Sequence, residues 1–92
     1  MKGFKLIRIF HFLIIFDKDV IIDKTVTIGF GNIICKGSIL TTNLEIGNFN
    51  HINLNCTVGH DVQFHDYITV YPGVNISGNV RINDCVEIGT GT

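Results

Sequence analysis

An all-β, three-sided parallel β-helix is the fold class that this sequence predicts, and three observations predict it. The first is a six-residue beat: Ile22, Ile28, Ile34, Leu40, Ile46, Ile52, Val58, Phe64, Val70, Ile76, Ile82 and Ile88 are all large and apolar, and a fixed short period is the signature of a repeat architecture. The second lies two residues before each beat residue, where a smaller or aliphatic side chain recurs: Val20, Val26, Asn32, Ser38, Leu44, Asn50, Cys56, Val62, Ile68, Val74, Val80 and Val86. Two same-face positions separated by one are the mark of a short strand. The third is the residue directly after the beat. Asp23, Gly29, Cys35, Thr41, Gly47, Asn53, Gly59, His65, Tyr71, Ser77, Asn83 and Gly89 are mostly Gly or small and polar, types that accept a corner with positive φ or hydrogen-bond it locally.

Each hexad is then one strand and one corner, and three hexads close a triangular coil, so residues eighteen apart stack. Ile22, Leu40, Val58 and Ile76 form one column, Ile28, Ile46, Phe64 and Ile82 a second, and Ile34, Ile52, Val70 and Ile88 a third. The same arithmetic stacks Asn43, Asp61 and Asn79 into a polar ladder whose amides are expected to hydrogen-bond from coil to coil. Residues 20–92 supply about four coils, above the three or so that a repeat fold needs. Each coil relies only on its neighbours, which relaxes the limit that a short globular chain buries only a modest core. Pro72-Gly73 marks one tighter turn.

Residues 1–19 form a separate entering segment. Ile9, Phe10, Phe12, Leu13, Ile14, Ile15 and Phe16 follow Lys2, Lys5 and Arg8, which superficially resembles a secretion signal. His11 within the apolar run, Asp17-Lys18-Asp19 after it and the lack of a small-residue cleavage site argue against that reading. The run is too short for a transmembrane helix. An entering strand or irregular coil is expected, with the phenylalanines covering the first rung. At the other end the beat still runs at Gly89 to Thr92, so the helix domain of residues 20–92 is expected to be incomplete at its C-terminus. An open sheet edge invites association. The expectation is a fragment of a longer protein, or a protomer that depends on partners.

Seven basic and eight acidic residues are spread evenly, which leaves no nucleic-acid footprint. Three cysteines, Cys35, Cys56 and Cys85, lack metal-type spacing and fit a reducing, cytoplasmic setting. Cys56 falls at a core position, Cys35 and Cys85 at corners.

A scaffold does not specify a function, so departures from the repeat are the place to look for chemistry. The densest is Asn50 to Asp66, which holds three of the four histidines. His60 follows Gly59 at a corner and should project outward, and histidine suits a general base near neutral pH. Asp61 beside it is either the carboxylate that orients the ring or a plain ladder residue, and His60 itself is either a base or a structural corner residue. His51 should face outward just before Ile52, and His65 occupies the position after the beat. Different corners of a triangle are too far apart for one ion, so no metal site is expected. Asn53 and Asn55 read as corner hydrogen-bonders. No nucleophile elbow, P-loop or dinucleotide fingerprint occurs.

The stretch H-I-N-L-N-C-T-V-G-H-D-V (His51 to Val62), continued by D-Y-I-T-V-Y-P-G-V-N-I-S-G-N-V (Asp66 to Val80) and E-I-G-T-G-T (Glu87 to Thr92), resembles the NeuD/PglD-type sugar acetyltransferases, which include sialic acid O-acetyltransferases and nucleotide-amino-sugar N-acetyltransferases. The resemblance runs from about Val20 to Thr92. It implies a left-handed winding, an exception to the usual right-handed crossover, and a homotrimer with acetyl-CoA in the groove between protomers. His60 of the G-H-D motif would deprotonate the sugar amine or hydroxyl as it attacks the thioester, and Asp61 would assist it. Thr69 and Thr90 fall where the family contacts the cofactor. Members usually carry an N-terminal α/β domain that binds the nucleotide sugar and has no counterpart in this sequence, and Phe12, Leu13 and Ile14 stand where the family tends to have proline and small residues. The acceptor is left open between nucleotide-amino sugar and sialic acid, and between N- and O-acetylation. The alternatives are a non-catalytic trimerisation module, an inactive fragment, and an acyltransferase with serine acceptors, against which the lack of a helical leader weighs.

Overall fold

The structure, a computed structural model, describes the backbone of residues 4–9 and 12–17, and residues 19–89 in full. The described residues are all strand, turn and corner: β1 (Phe4–Ile9), β2 (Phe12–Asp17), β3 (Ile21–Ile22), β4 (Thr27–Ile28), β5 (Asn32–Ile34), β6 (Ile39–Leu40), β7 (Glu45–Ile46), β8 (His51–Ile52), β9 (Thr57–Val58), β10 (Gln63–Phe64), β11 (Thr69–Val70), β12 (Asn75–Ile76), β13 (Arg81–Ile82) and β14 (Glu87–Ile88). From β3 onward every strand ends on a beat residue. Successive strands go to three different sheets in rotation: β3, β6, β9 and β12 make one, β4, β7, β10 and β13 the next, and β2, β5, β8, β11 and β14 the third. Pairing from coil to coil is parallel and eighteen residues apart, as in Ile34 beside Ile52, Leu40 beside Val58 and Phe64 beside Ile82. The three predicted columns are therefore the three inner walls of a prism.

The core is the inside of that prism. Ile34, Leu40, Leu44, Ile52, Val58, Val62, Ile68 and Val70 are fully or almost fully buried, and the stack contains Cys56 as well. Three inward positions are polar, Asn32, Ser38 and Asn50, and each is satisfied. The Asn50 amide N–H donates to Asn32 Oδ1 at 2.9 Å and the Ile68 N–H to Asn50 Oδ1 at 2.8 Å. Their Nδ2 groups donate to the Gly47 and His65 carbonyls, each at 2.9 Å. Ser38 Oγ donates to the Asn53 carbonyl at 2.8 Å and accepts from the Cys56 N–H at 3.2 Å. These side chains take over corner backbone groups that the two-residue strands cannot reach, as buried polar atoms require.

The corners differ from the sequence expectation in one respect. Positive φ falls three residues after the beat, not one: Gly31, Gly37, Asn43, Phe49, Asn55, Asp61, Tyr67, Gly73, Asn79 and Cys85 have φ between 55° and 79°. Asn, Asp and Gly tolerate this region. The glycines directly after the beat serve close approach instead. A Cβ on Gly29 would lie 2.5 Å from the Gly47 carbonyl oxygen, and one on Gly47 would lie 2.5 Å from that of His65. Phe49 and Tyr67 carry a left-handed backbone that costs about 1–2 kcal/mol each. Their rings offset part of it by piling up on one corner, with Phe49 stacked on Tyr67 at 5.4 Å between centroids and Phe30 edge-on to Phe49 at 5.8 Å.

The Asn43, Asp61 and Asn79 stack is present, but its coil-to-coil bonds come from the backbone rather than from side-chain amides. The Asp61 N–H donates to the Thr42 carbonyl at 3.1 Å, the Asn79 N–H to the His60 carbonyl at 2.9 Å, and the Asn43 N–H to Thr25 Oγ1 at 2.8 Å. In its αL geometry the Asp61 carboxylate turns to its neighbour His60 instead. A side-chain ladder does run along another corner, where Asn48 Oδ1 accepts from the Phe30 N–H, Asp66 Oδ1 from the Asn48 N–H, and Asp84 Oδ1 from the Asp66 N–H, at 2.7, 2.7 and 2.9 Å.

The entering segment is strand. β1 and β2 form an antiparallel hairpin, and β2 then runs parallel to β5 with Phe16 beside Ile34, so the eighteen-residue register begins before Ile22. The cover expected of the phenylalanine side chains lies outside the described residues.

Leu40→Ala, at a fully buried position of the column, is expected to lower the unfolding free energy by about 2–5 kcal/mol. Asn50→Ala leaves the Ile68 amide and the His65 carbonyl without their partners and should cost about 2 kcal/mol or more. Urea denaturation followed by circular dichroism checks both, as a drop in the midpoint at unchanged slope.

Candidate functional site

The corner between β9 and β10 carries the one arrangement that the sequence singled out for chemistry. Its local geometry follows from three consecutive residues. Gly59, the residue after the beat, lets the next coil close in, because a Cβ there would lie 2.6 Å from the Gly78 nitrogen and 2.9 Å from the Ser77 carbonyl carbon. His60 comes at the apex. Asp61 then takes φ 55°, and its carboxylate Oδ2 lies 2.9 Å from His60 Nδ1. The His60 side chain is 59% exposed and that of Asp61 49%.

A carboxylate at this distance fixes the ring chemistry. An ionised carboxylate only accepts, so Nδ1 is the donor, and in the neutral ring the lone pair belongs to Nε2. Among the described residues Nε2 has no hydrogen-bond partner. The pair is therefore an oriented imidazole on an open corner, with the lone pair of Nε2 unengaged among the described residues.

Two shallow hollows flank Asp61. One, of about 350 Å3, is lined by Thr25, Thr27, Asn43, Leu44, Glu45, Asp61 and Gln63. The other, of about 240 Å3, is lined by Asp61, Gln63, Asn79, Val80 and Arg81. Both are walled by hydroxyl, amide and charged groups. Sequence reading missed them because these are the outward positions of a strand, which look like ordinary solvent face until stacking sets Thr27, Glu45, Gln63 and Arg81 in one row.

Thr69, the other expected site residue within the described residues, does not join this corner. It lies on β11, beside His51 and Glu87 in the stack. That sheet is the side of the prism opposite the corner between β9 and β10, so Thr69 and His60 of one chain face different ways. Thr90 lies outside the described residues. The other two described histidines have separate neighbours, His51 Nε2 lying 3.5 Å from Cys35 Sγ and His65 Nδ1 3.8 Å from Asp84 Oδ1. Asn53 does bond locally, its Oδ1 accepting from the Leu54 N–H at 2.8 Å.

The Tyr71 phenol donates to Glu87 Oε1, and that hydrogen bond, with the Glu87 charge, pushes its pKa above the ordinary tyrosine value. Burial pushes the Cys56 thiol up, and the Thr25 hydroxyl and amide hold Asp23 below the usual carboxylate range. No helix among the described residues is long and apolar enough to cross a membrane.

A three-sided β-solenoid with a carboxylate-oriented histidine on one corner is the class that fold and site define. Among curated proteins, the chain is 43% identical over 72 residues to the GDP-perosamine N-acetyltransferase of Escherichia coli O157:H7. The aligned part is 78% of this chain and 32% of that protein, so the chain spans about a third of its relative's length. No protein-family model matches the chain, and no solved structure matches it significantly.

Glu87→Gln should bring the Tyr71 titration, followed by ultraviolet absorbance, down towards the ordinary value of about 10. Because the folded-state pKa is raised, the stabilisation from this pair is fully present below the unfolded pKa and is lost as pH rises through the folded one. Thiol labelling should modify the exposed Cys85 quickly and the buried Cys56 only when the chain unfolds.

Proposed function

We propose that the chain is the catalytic β-helix part of an acetyltransferase that moves the acetyl group of acetyl-CoA to a sugar, with the amine of a nucleotide-linked amino sugar as the favoured acceptor. The observation that carries this reading is the His60 and Asp61 pair at 2.9 Å on an exposed corner. The similarity to an N-acetyltransferase of GDP-perosamine supports the transferred group and favours an amine over the hydroxyl of a sialic acid.

In this mechanism the acceptor nitrogen attacks the thioester carbonyl carbon while His60 Nε2 takes the proton that the nitrogen loses. Asp61 holds the tautomer and stabilises the imidazolium that forms. The tetrahedral intermediate collapses with cleavage of the carbon–sulfur bond, and the imidazolium returns the proton to the leaving thiolate. The products are the N-acetylated sugar and free CoA. No metal is needed for any of these transfers.

The placement of Thr69 supports a site shared between chains. A cofactor that touches both the His60 corner and the Thr69 face must lie between two chains, since the two point away from each other within one. A homotrimer built on the flat faces meets that requirement, with Thr69 and Thr90 of one protomer holding acetyl-CoA against His60 of the next. The cytoplasm, where the thiols stay reduced, is the proposed setting.

The test is release of CoA thiol from acetyl-CoA in the presence of GDP- and UDP-linked amino sugars and of sialic acid, with mass spectrometry of the product. The amino-sugar nucleotides should be acetylated. His60→Ala should reduce the rate by about 100-fold to 10,000-fold, and Asp61→Ala by less. No release with any acceptor, or a His60→Ala rate equal to that of the parent chain, would sink the mechanism. Light scattering on the same sample should give the mass of three chains, and a trimer that binds no acetyl-CoA would favour a scaffold instead.

A further inference from the structure

We infer that Gly78 is a positioning residue for His60: the empty space left by its missing side chain is the slot that holds the imidazole where its Nε2 can work. This rests on the proposed role of His60 as the base.

Gly78 lies eighteen residues after His60, so it occupies the same corner one coil further on. At the equivalent position, two residues after the beat, the repeat otherwise places Lys24, Phe30, Lys36, Thr42, Asn48, Leu54, Asp66, Pro72 and Asp84. Gly78 stands alone there as a glycine from Lys24 to Asp84, so the architecture of the coil does not require it.

Its surroundings do. A Cβ on Gly78 would lie 2.7 Å from His60 Nε2, 2.9 Å from Cδ2 and 3.0 Å from Cε1, all well inside the roughly 3.5–4.0 Å of normal carbon contact. The far edge of the ring thus occupies the space that a Gly78 side chain would fill, while Nδ1 is tied to Asp61. Gly59 completes the shelf, since its own missing side chain lets the Ser77–Gly78 backbone come this close. The Asn79 N–H to His60 carbonyl bond at 2.9 Å pins the two coils beside it.

The contrast with Gly29 and Gly47 separates a positioning role from a structural one. A side chain at either of those would strike backbone carbonyl groups. At Gly78 the three nearest atoms all belong to the His60 side chain, and its φ is not among the positive ones. An added methyl group is therefore accommodated by turning the imidazole, which breaks its alignment with Asp61 and moves Nε2. A displacement of about 1 Å at a reacting group can cost on the order of 100-fold in rate.

The experiment compares the parent chain, G78A, H60A and H60A/G78A. G78A should lower kcat by about 10-fold to 100-fold, leave KM for acetyl-CoA within about twofold, and shift the 15N resonances of the His60 ring while the other histidine signals stay in place. In the H60A background the same glycine change should alter neither residual rate nor melting temperature. Unmoved His60 resonances, parental kcat in G78A, or an equal effect of the change with and without His60 would overturn the inference. If the parent chain transfers no acetyl group, the proposed function fails, and the ring resonances alone decide the role of Gly78: a shift supports it and no shift overturns it. If G78A does not fold, folding of H60A/G78A supports the inference and its failure overturns it.

Discussion

The eighteen-residue register is the constraint on which the rest of the structure depends. Strands of two residues have no stability of their own, since each must place its amides and carbonyls on the coils above and below. The bonds His51 N–H to Ile68 O, Asn53 N–H to Val70 O and Thr57 N–H to Val74 O, at 2.8, 2.9 and 3.0 Å, repeat this relation on two of the sides. A slip of one residue would turn every beat side chain outward. Burial and hydrogen bonding thus select the same alignment, which is what lets so short a chain hold one structure.

The same register explains where tolerance ends. Inward positions accept Val, Leu, Ile, Phe, Cys, Ser or Asn, provided that any polar atom finds a backbone group, as Asn32, Asn50 and Ser38 do. Corners are stricter. One corner position needs positive φ, and Asn, Asp and Gly fill it except where Phe49, Tyr67 and Cys85 stand. Another needs the space of a missing side chain where the next coil passes close by, and Gly29, Gly47 and Gly59 fill it.

The corner that carries the histidine and aspartate pair obeys both rules. At Gly59, His60 and Asp61 the positive φ that the fold demands of Asp61 is also what returns its carboxylate to the preceding ring. A structural requirement and an orienting contact coincide there, which is why the pair lies at hydrogen-bond distance although both side chains are about half exposed. Exposed pairs contribute little to stability in general, so this contact is better understood as fixing a tautomer than as holding the fold.

The periodic side chains by themselves determined the solenoid, its three columns and the cysteine environments, because hydrophobic alternation is a local property that one chain displays in order. They also singled out His60 and Asp61, since a G-H-D corner stands out from the repeat. What lies between coils was decided only in three dimensions. The seat of positive φ, the steric use of the post-beat glycines, the Asn48, Asp66 and Asp84 ladder, the hairpin of β1 and β2, and the separation of Thr69 from His60 all depend on how the chain turns at each corner. Corner geometry sets which atoms meet across an eighteen-residue gap, and no pattern of residue types along the chain encodes those distances.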